Sequence, residues 1–128
     1  MNLLLDTHIA LWAIANDKKL SPLAREMICS PENSVQVSVA SLWEIAIKYS
    51  LGRGDMPVSA PQALHYFEQS GYRILPVEAA HVCAVSDLPP HHQDPFDRLL
   101  IAQAQVHPLH LVTHDKLIAR YGSHITLV

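Results

Sequence analysis

The sequence contains only two cysteines, Cys29 and Cys83, among its 128 residues. That count excludes a disulfide framework and a cysteine-rich zinc cluster. The two read instead as small apolar side chains of a reduced, cytoplasmic protein. Long hydrophobic runs are missing too. Stretches such as 3–5 and 9–15 are short and bounded by polar residues, far below the roughly 18 apolar residues of a membrane span. The N-terminal MNLLLDTH has no basic segment ahead of its apolar run, and Asp6 interrupts that run, so no signal peptide is expected. A basic surplus is lacking as well: 12 acidic residues face 9 Lys and Arg, for a formal net charge of −3. A protein that holds nucleic acid regardless of sequence draws its affinity from neutralised phosphates. Any attraction of this chain for nucleic acid must therefore come from local basic residues or from a bound cation. Internal repeats and low-complexity segments are absent.

What is present suits an ordinary core. The chain is 49% hydrophobic and 16% charged, too apolar for a disordered segment. Its length favours one compact domain over 1–128, burying roughly two-thirds of the surface its unfolded chain exposes. Strand patterns are expected at 2–6, 35–38, 72–75, 109–113 and 125–128. Helical spacing or helix-start signals mark 7–15, 22–29, 39–51, 61–70, 78–86, 96–106 and 114–121. Ser21-Pro22 supplies a cap followed by proline at the first helical position, and Gly52 stops the helix over 39–51. Residues 53–58 read as a polar loop, and 88–95, with Pro89, Pro90 and Pro95, as a stiff one. Trp12, Trp43 and the apolar helix faces read chiefly as core. Strands alternating with helices argue an α/β domain with a mainly parallel sheet. Apolar strands without clean alternation, the first above all, are expected where helices cover both faces.

Four acids share one kind of position. Asp6 ends the first strand, and Asp115 follows the fourth by two residues. Glu44 lies early in the helix after the second strand, and Asp97 in the first turn of the helix that Pro95 opens. In a parallel sheet these places gather on the carboxyl edge, where α/β proteins bind ligands. Carboxylates collected there repel one another unless a cation holds them, and an oxygen-only set suits Mg²⁺ or Mn²⁺ rather than zinc. Such an ion activates water and neutralises a phosphodiester during in-line attack. Each acid also has a structural explanation. Asp6 and Asp115 suit helix caps, Glu44 suits a capping box with Ser41 or a pair with Lys48, and Asp97 suits the helix dipole. His91-His92 with Asp94 lacks a fourth ligand for zinc. His8 and His114 sit beside candidate metal acids, close enough in sequence for either to face the cleft.

At these residues the chain resembles a PIN-domain ribonuclease, specifically a VapC-like toxin of a toxin–antitoxin pair. The matching stretches are LLLDTH (3–8), SVASLWEIAIK (38–48), DPFDRLLIAQA (94–104) and LVTHD (111–115). The resemblance implies a three-layer α/β/α fold with a short parallel sheet and Mg²⁺- or Mn²⁺-dependent endoribonuclease activity. It places the catalytic and metal-binding acids at Asp6, Glu44, Asp97 and Asp115, with Asp94 as a secondary acid at the same helix start. Thr7, Thr113, Arg98 and Lys116 stand beside these acids as candidate substrate contacts. It further implies a homodimer and a small antitoxin whose C-terminal segment docks in a groove, for which the helices over 7–15 and 22–29 are the candidates. Two other classes compete. One is a PIN-fold binding module without turnover. The other is a phosphohydrolase resembling the haloacid dehalogenase class, which wants a second Asp where this chain has His8.

Overall fold

The computed structural model describes residues 1–52 and 56–128. The expected loop over 53–58 therefore falls in part, at 53–55, outside the described residues. Five strands and seven helices follow one another among the described residues: β1 (Asn2–Leu5), α1 (Thr7–Ala15), α2 (Pro22–Cys29), β2 (Ser34–Ser38), α3 (Val39–Ser50), α4 (Ala60–Gln69), β3 (Arg73–Leu75), α5 (Ala79–Val85), α6 (Pro95–Val106), β4 (His110–Thr113), α7 (Lys116–Ala119) and β5 (Ile125–Leu127). The strands form one sheet in the order β3-β2-β1-β4-β5, with every neighbouring pair parallel.

The leucines of β1 show why its pattern does not alternate. Leu3 and Leu5 point into one core with Ile9, Ile45 and Phe67. Leu4, between them, points into a second core with Leu100, Ile101 and Ile118. All three are fully buried, because helices cover both faces and neither side of the strand meets water. Val112 and Leu111 of β4 divide between the same two cores.

Topology then creates the site. The chain begins at the centre with β1, winds outward to β3, and returns through α5 and α6 to place β4 on the other side of β1. The reversal between β1 and β4 leaves a crevice at their carboxyl ends, the place where open parallel sheets receive ligands. Local signals set where the helices start and stop. Ser21 Oγ accepts from the Ala24 N–H (3.1 Å) to start α2. Gly52, at φ +69°, ends α3 in a left-handed turn that favours glycine.

Several boundaries differ from expectation. Ser38, rather than Ser41, caps α3, its Oγ accepting from the Ala40 N–H at 3.0 Å, so no capping box joins Ser41 to Glu44. The helix expected over 114–121 shrinks to Lys116–Ala119 because Asp115, not His114, is its cap. Trp43 is 58% exposed, lying edge-on to Phe96 (5.0 Å between ring centroids) outside both cores.

Candidate active site

The four acids do converge. Asp6, Glu44, Asp97 and Asp115 line one cleft of about 340 Å³ together with His8, Lys48, His92, Asp94 and His114. Asp6 follows β1 directly, and its N–H continues the sheet by donating to the Val112 carbonyl (3.0 Å). Its side chain makes no cap to α1. Instead its Oδ2 accepts from the Thr113 hydroxyl at 2.7 Å, and the same hydroxyl oxygen accepts the Asp115 N–H at 3.0 Å. Thr113 thus ties the first and fourth acids together from beneath.

Glu44 is held in the same fashion from the other side. The Thr7 hydroxyl donates to Glu44 Oε1 (2.7 Å), with Ser41 Oγ 2.9 Å from that hydroxyl. A hydroxyl has one proton, so Thr7 gives it to the carboxylate and accepts from Ser41. Lys48, one turn along α3, donates to Glu44 Oε2 at 2.6 Å. Both Thr7 and Thr113 are buried and bond acids rather than facing outward.

Asp97 is the acid under most strain. Burial, then the negative charges of Asp6, Asp94, Glu44 and Asp115, push its carboxyl up to about 8. Burial also raises Asp6, against the opposing Thr113 bond and the nearby His8. Asp94 caps α6, accepting the Asp97 N–H at 3.0 Å, which satisfies a helix-end donor.

A residue that sequence reasoning missed completes the cluster. His92 Nε2 lies 3.0 Å from Asp97 Oδ2 and 3.1 Å from Asp115 Oδ2. Its Nδ1 accepts the Asp94 N–H (3.2 Å), so Nε2 is the proton-bearing nitrogen and donates to Asp115 Oδ2, with Asp97 Oδ2 in contact beside it. His91 turns away to lie against Tyr121. The adjacent Asp94 is the available signal, but in sequence His91, His92 and Asp94 read only as a zinc set that lacks a fourth ligand, and not as a hydrogen-bond donor to the acids.

The flanking cations separate. Arg98, a candidate substrate contact, instead anchors the loop carrying His92. Its Nη1 donates to the carbonyls of Pro89 and His92 and to Tyr121 Oη, and its Nη2 to the Val85 carbonyl (3.1–3.3 Å). Lys116 is exposed in the first turn of α7. His8 and His114 both line the acidic cleft and also a neighbouring cavity of about 450 Å³ walled by Trp12. The Trp12 and His114 rings lie 4.8 Å apart there.

These donors fit a hard divalent cation. The set is carboxylate oxygen, and the burial and acidic neighbours that push the Asp97 carboxyl up leave a charge deficit that such an ion supplies. The fold and the site define a parallel α/β protein with an acidic, cation-ready crevice at its switch point. Residues 3–123 match the PIN domain family, and the chain belongs to it; PIN domains are generally metal-dependent nucleases. Among solved structures, the chain is similar to the crystal structure of VapBC2 from Rickettsia felis bound to a DNA fragment from their promoter. The TM-score is 0.71 and the identity 18%, covering 100% of this chain and 98% of that one. It is also similar to a toxin–antitoxin complex from Klebsiella pneumoniae, with TM-score 0.65 and 17% identity, covering 97% and 95%. No curated protein matches the sequence. Among the described residues, no helix is long and apolar enough to cross a membrane.

Proposed function

We propose that residues 1–128 form one PIN unit acting in the cytoplasm as a VapC-like toxin, a Mg²⁺- or Mn²⁺-dependent endoribonuclease silenced by an antitoxin. The observation that carries this is the convergence of Asp6, Glu44, Asp97 and Asp115 on one cleft, where burial and then the neighbouring charges push the Asp97 carboxyl up to about 8. Asp6, Glu44 and Asp97 are the residues that would hold the ion, directly or through water, and Asp115 would hold a second ion or orient the attacking water. When bound, the ion supplies water activation and charge neutralisation at the phosphodiester.

The chain's own residues do the positioning. Thr113 and Thr7 fix Asp6 and Glu44, and Lys48 balances Glu44 so that the cluster survives without a full complement of cations. Lys116 at the rim is the remaining candidate for an RNA phosphate. Two surfaces support partners. An apolar groove between α1 and α4, lined by Leu11, Ile14, Ala15 and Tyr66, suits an antitoxin segment as a second candidate besides the α1–α2 pair. Val39 and Trp43, one turn apart on α3 and exposed, suit a homodimer contact. The two structural neighbours, both toxin–antitoxin complexes, support the antitoxin assignment.

The test is RNA cleavage by the purified, antitoxin-free chain with EDTA, Mg²⁺ and Mn²⁺ arms. Cleavage should require the ion and fall about 10²–10³-fold in Asp97→Asn, the scale of losing one transition-state stabilising group. A folded protein that binds no metal and cuts no RNA would leave only a binding module.

A further inference from the structure

The loop before α6 is built around one side chain. His92 donates its own N–H to Tyr121 Oη (2.9 Å) and its carbonyl accepts from Arg98 Nη1 (3.2 Å). Tyr121 Oη in turn donates to the Pro89 carbonyl (2.7 Å). The backbone on which His92 sits is therefore tied at three points, and the Asp94 N–H on Nδ1 fixes the ring. A histidine this well braced is placed, not stranded.

We propose that His92 is an internal competitor of the metal. Its Nε2–H is hydrogen-bonded to Asp115 Oδ2 and lies against Asp97 Oδ2, and it must move aside before both acids can serve an ion. The inference rests on the metal-dependent reading above. Three observations carry it. The two oxygens that His92 engages belong to the acids named as ligands. The ring's proton faces them, because the other nitrogen is already an acceptor, so His92 acts as a donor in a cation's place and not as a third ligand. Glu44 has its own cation in Lys48 and Asp6 its own donor in Thr113, whereas Asp97 Oδ2 and Asp115 Oδ2 both face His92 Nε2, the other Asp115 oxygen being taken by the Leu117 N–H that starts α7. The expected consequence is a metal affinity set below what the four acids would give alone, with the difference stored in one hydrogen-bonded ring.

Two substitutions separate the ring's two jobs. In His92→Asn, the amide oxygen takes the place of Nδ1 and can accept the Asp94 N–H, but the side chain stops short of the acids. In His92→Gln, the amide nitrogen takes the place of Nε2 and keeps a donor on them. Mn²⁺ affinity is measured for the full chain by electron paramagnetic resonance of the free ion, with circular dichroism confirming folding. His92→Asn should bind Mn²⁺ about tenfold more tightly than wild type, the scale of one hydrogen bond to a charged group, and His92→Gln should stay within about twofold of wild type. Pulsed spectra of bound Mn²⁺ should show no directly coordinated nitrogen. Unchanged affinity in His92→Asn overturns the competition. Weaker affinity there, or a coordinated nitrogen in wild type, makes His92 a ligand and overturns it as well. If neither wild type nor either variant binds Mn²⁺, the metal-dependent reading itself fails, and the competition falls with it.

Discussion

Two histidines in this molecule are held in the same way and do opposite things. His92 takes the Asp94 N–H on Nδ1 and presents Nε2–H to two carboxylates. His81, only 1% exposed, takes the Glu78 N–H on Nδ1 (3.0 Å) and presents Nε2–H to His107 Nε2 at 2.7 Å. Glu78, His81 and His107 lie close enough together to suggest a second metal group, as His92, Asp97 and Asp115 do. The partners decide the difference. One proton fits between two imidazole nitrogens, and at His81 it closes a neutral bond that is already complete, pinning α5 to the end of α6. At His92 the partners are carboxyl oxygens of a crowded acidic cleft, with the Asp97 carboxyl pushed up to about 8 by burial and by its acidic neighbours, so a cation can exchange with the ring. The first cluster is a clip and the second lies in the candidate site.

The sharpest break in that comparison comes from removing one member on each side. Asp97→Asn should abolish most metal-dependent cleavage while leaving the protein folded. His81→Ala should do the reverse, lowering stability by about 2–3 kcal/mol through stranded buried polar groups and a cavity with metal affinity unchanged. Denaturant unfolding alongside Mn²⁺ titration checks both.

Next in size is the metal-free stability of Asp97→Asn. A carboxyl held near 8 in the folded chain and near 4 when unfolded opposes folding at neutral pH. Its removal should stabilise the apo protein by about 1–3 kcal/mol, well under the full shift because the group is not wholly desolvated. Equilibrium unfolding in EDTA measures this, and an unchanged or lower stability would deny the upward shift of Asp97.

The pH dependence should run in opposite directions in the two regions. Asp97 is raised, so its folded form holds a proton the unfolded chain has lost, and stability in EDTA falls as pH rises from about 4 to about 8. His81 is lowered by burial and by His107, against the opposing charge of Glu78. Its contribution is full above the ordinary histidine range and is lost as pH falls below it. Unfolding curves from pH 5 to 9 should therefore show a shallower alkaline decline in Asp97→Asn, where the raised Asp6 remains, and a shallower acid decline in His81→Ala, where the lowered His124 remains.

The contrast also explains what the sequence could and could not reveal. Asp6, Glu44, Asp97 and Asp115 were readable because strand and helix patterns place them at one sheet edge by topology alone, and the three leucines of β1 announced helices on both faces. His92 was not, since its position depends on Arg98 and on Tyr121, 29 residues further along, which together set the path of a proline-stiffened loop. Arg98 was misplaced for the same reason: its charge suggested RNA, while the carbonyls of Val85, Pro89 and His92 claim its donors. Ser38 displaced Ser41 as the cap of α3 because the strand ends one turn earlier than a capping box with Glu44 requires.

The most direct measurement is the proton count of metal binding. Mn²⁺ is titrated into the antitoxin-free chain at pH 7 by calorimetry, in two buffers of different ionisation enthalpy. An acid cluster that keeps Asp97 protonated until a cation arrives should release about one proton per ion bound, and Asp97→Asn should release almost none. Binding without proton release, or the same release from the variant, would contradict the account.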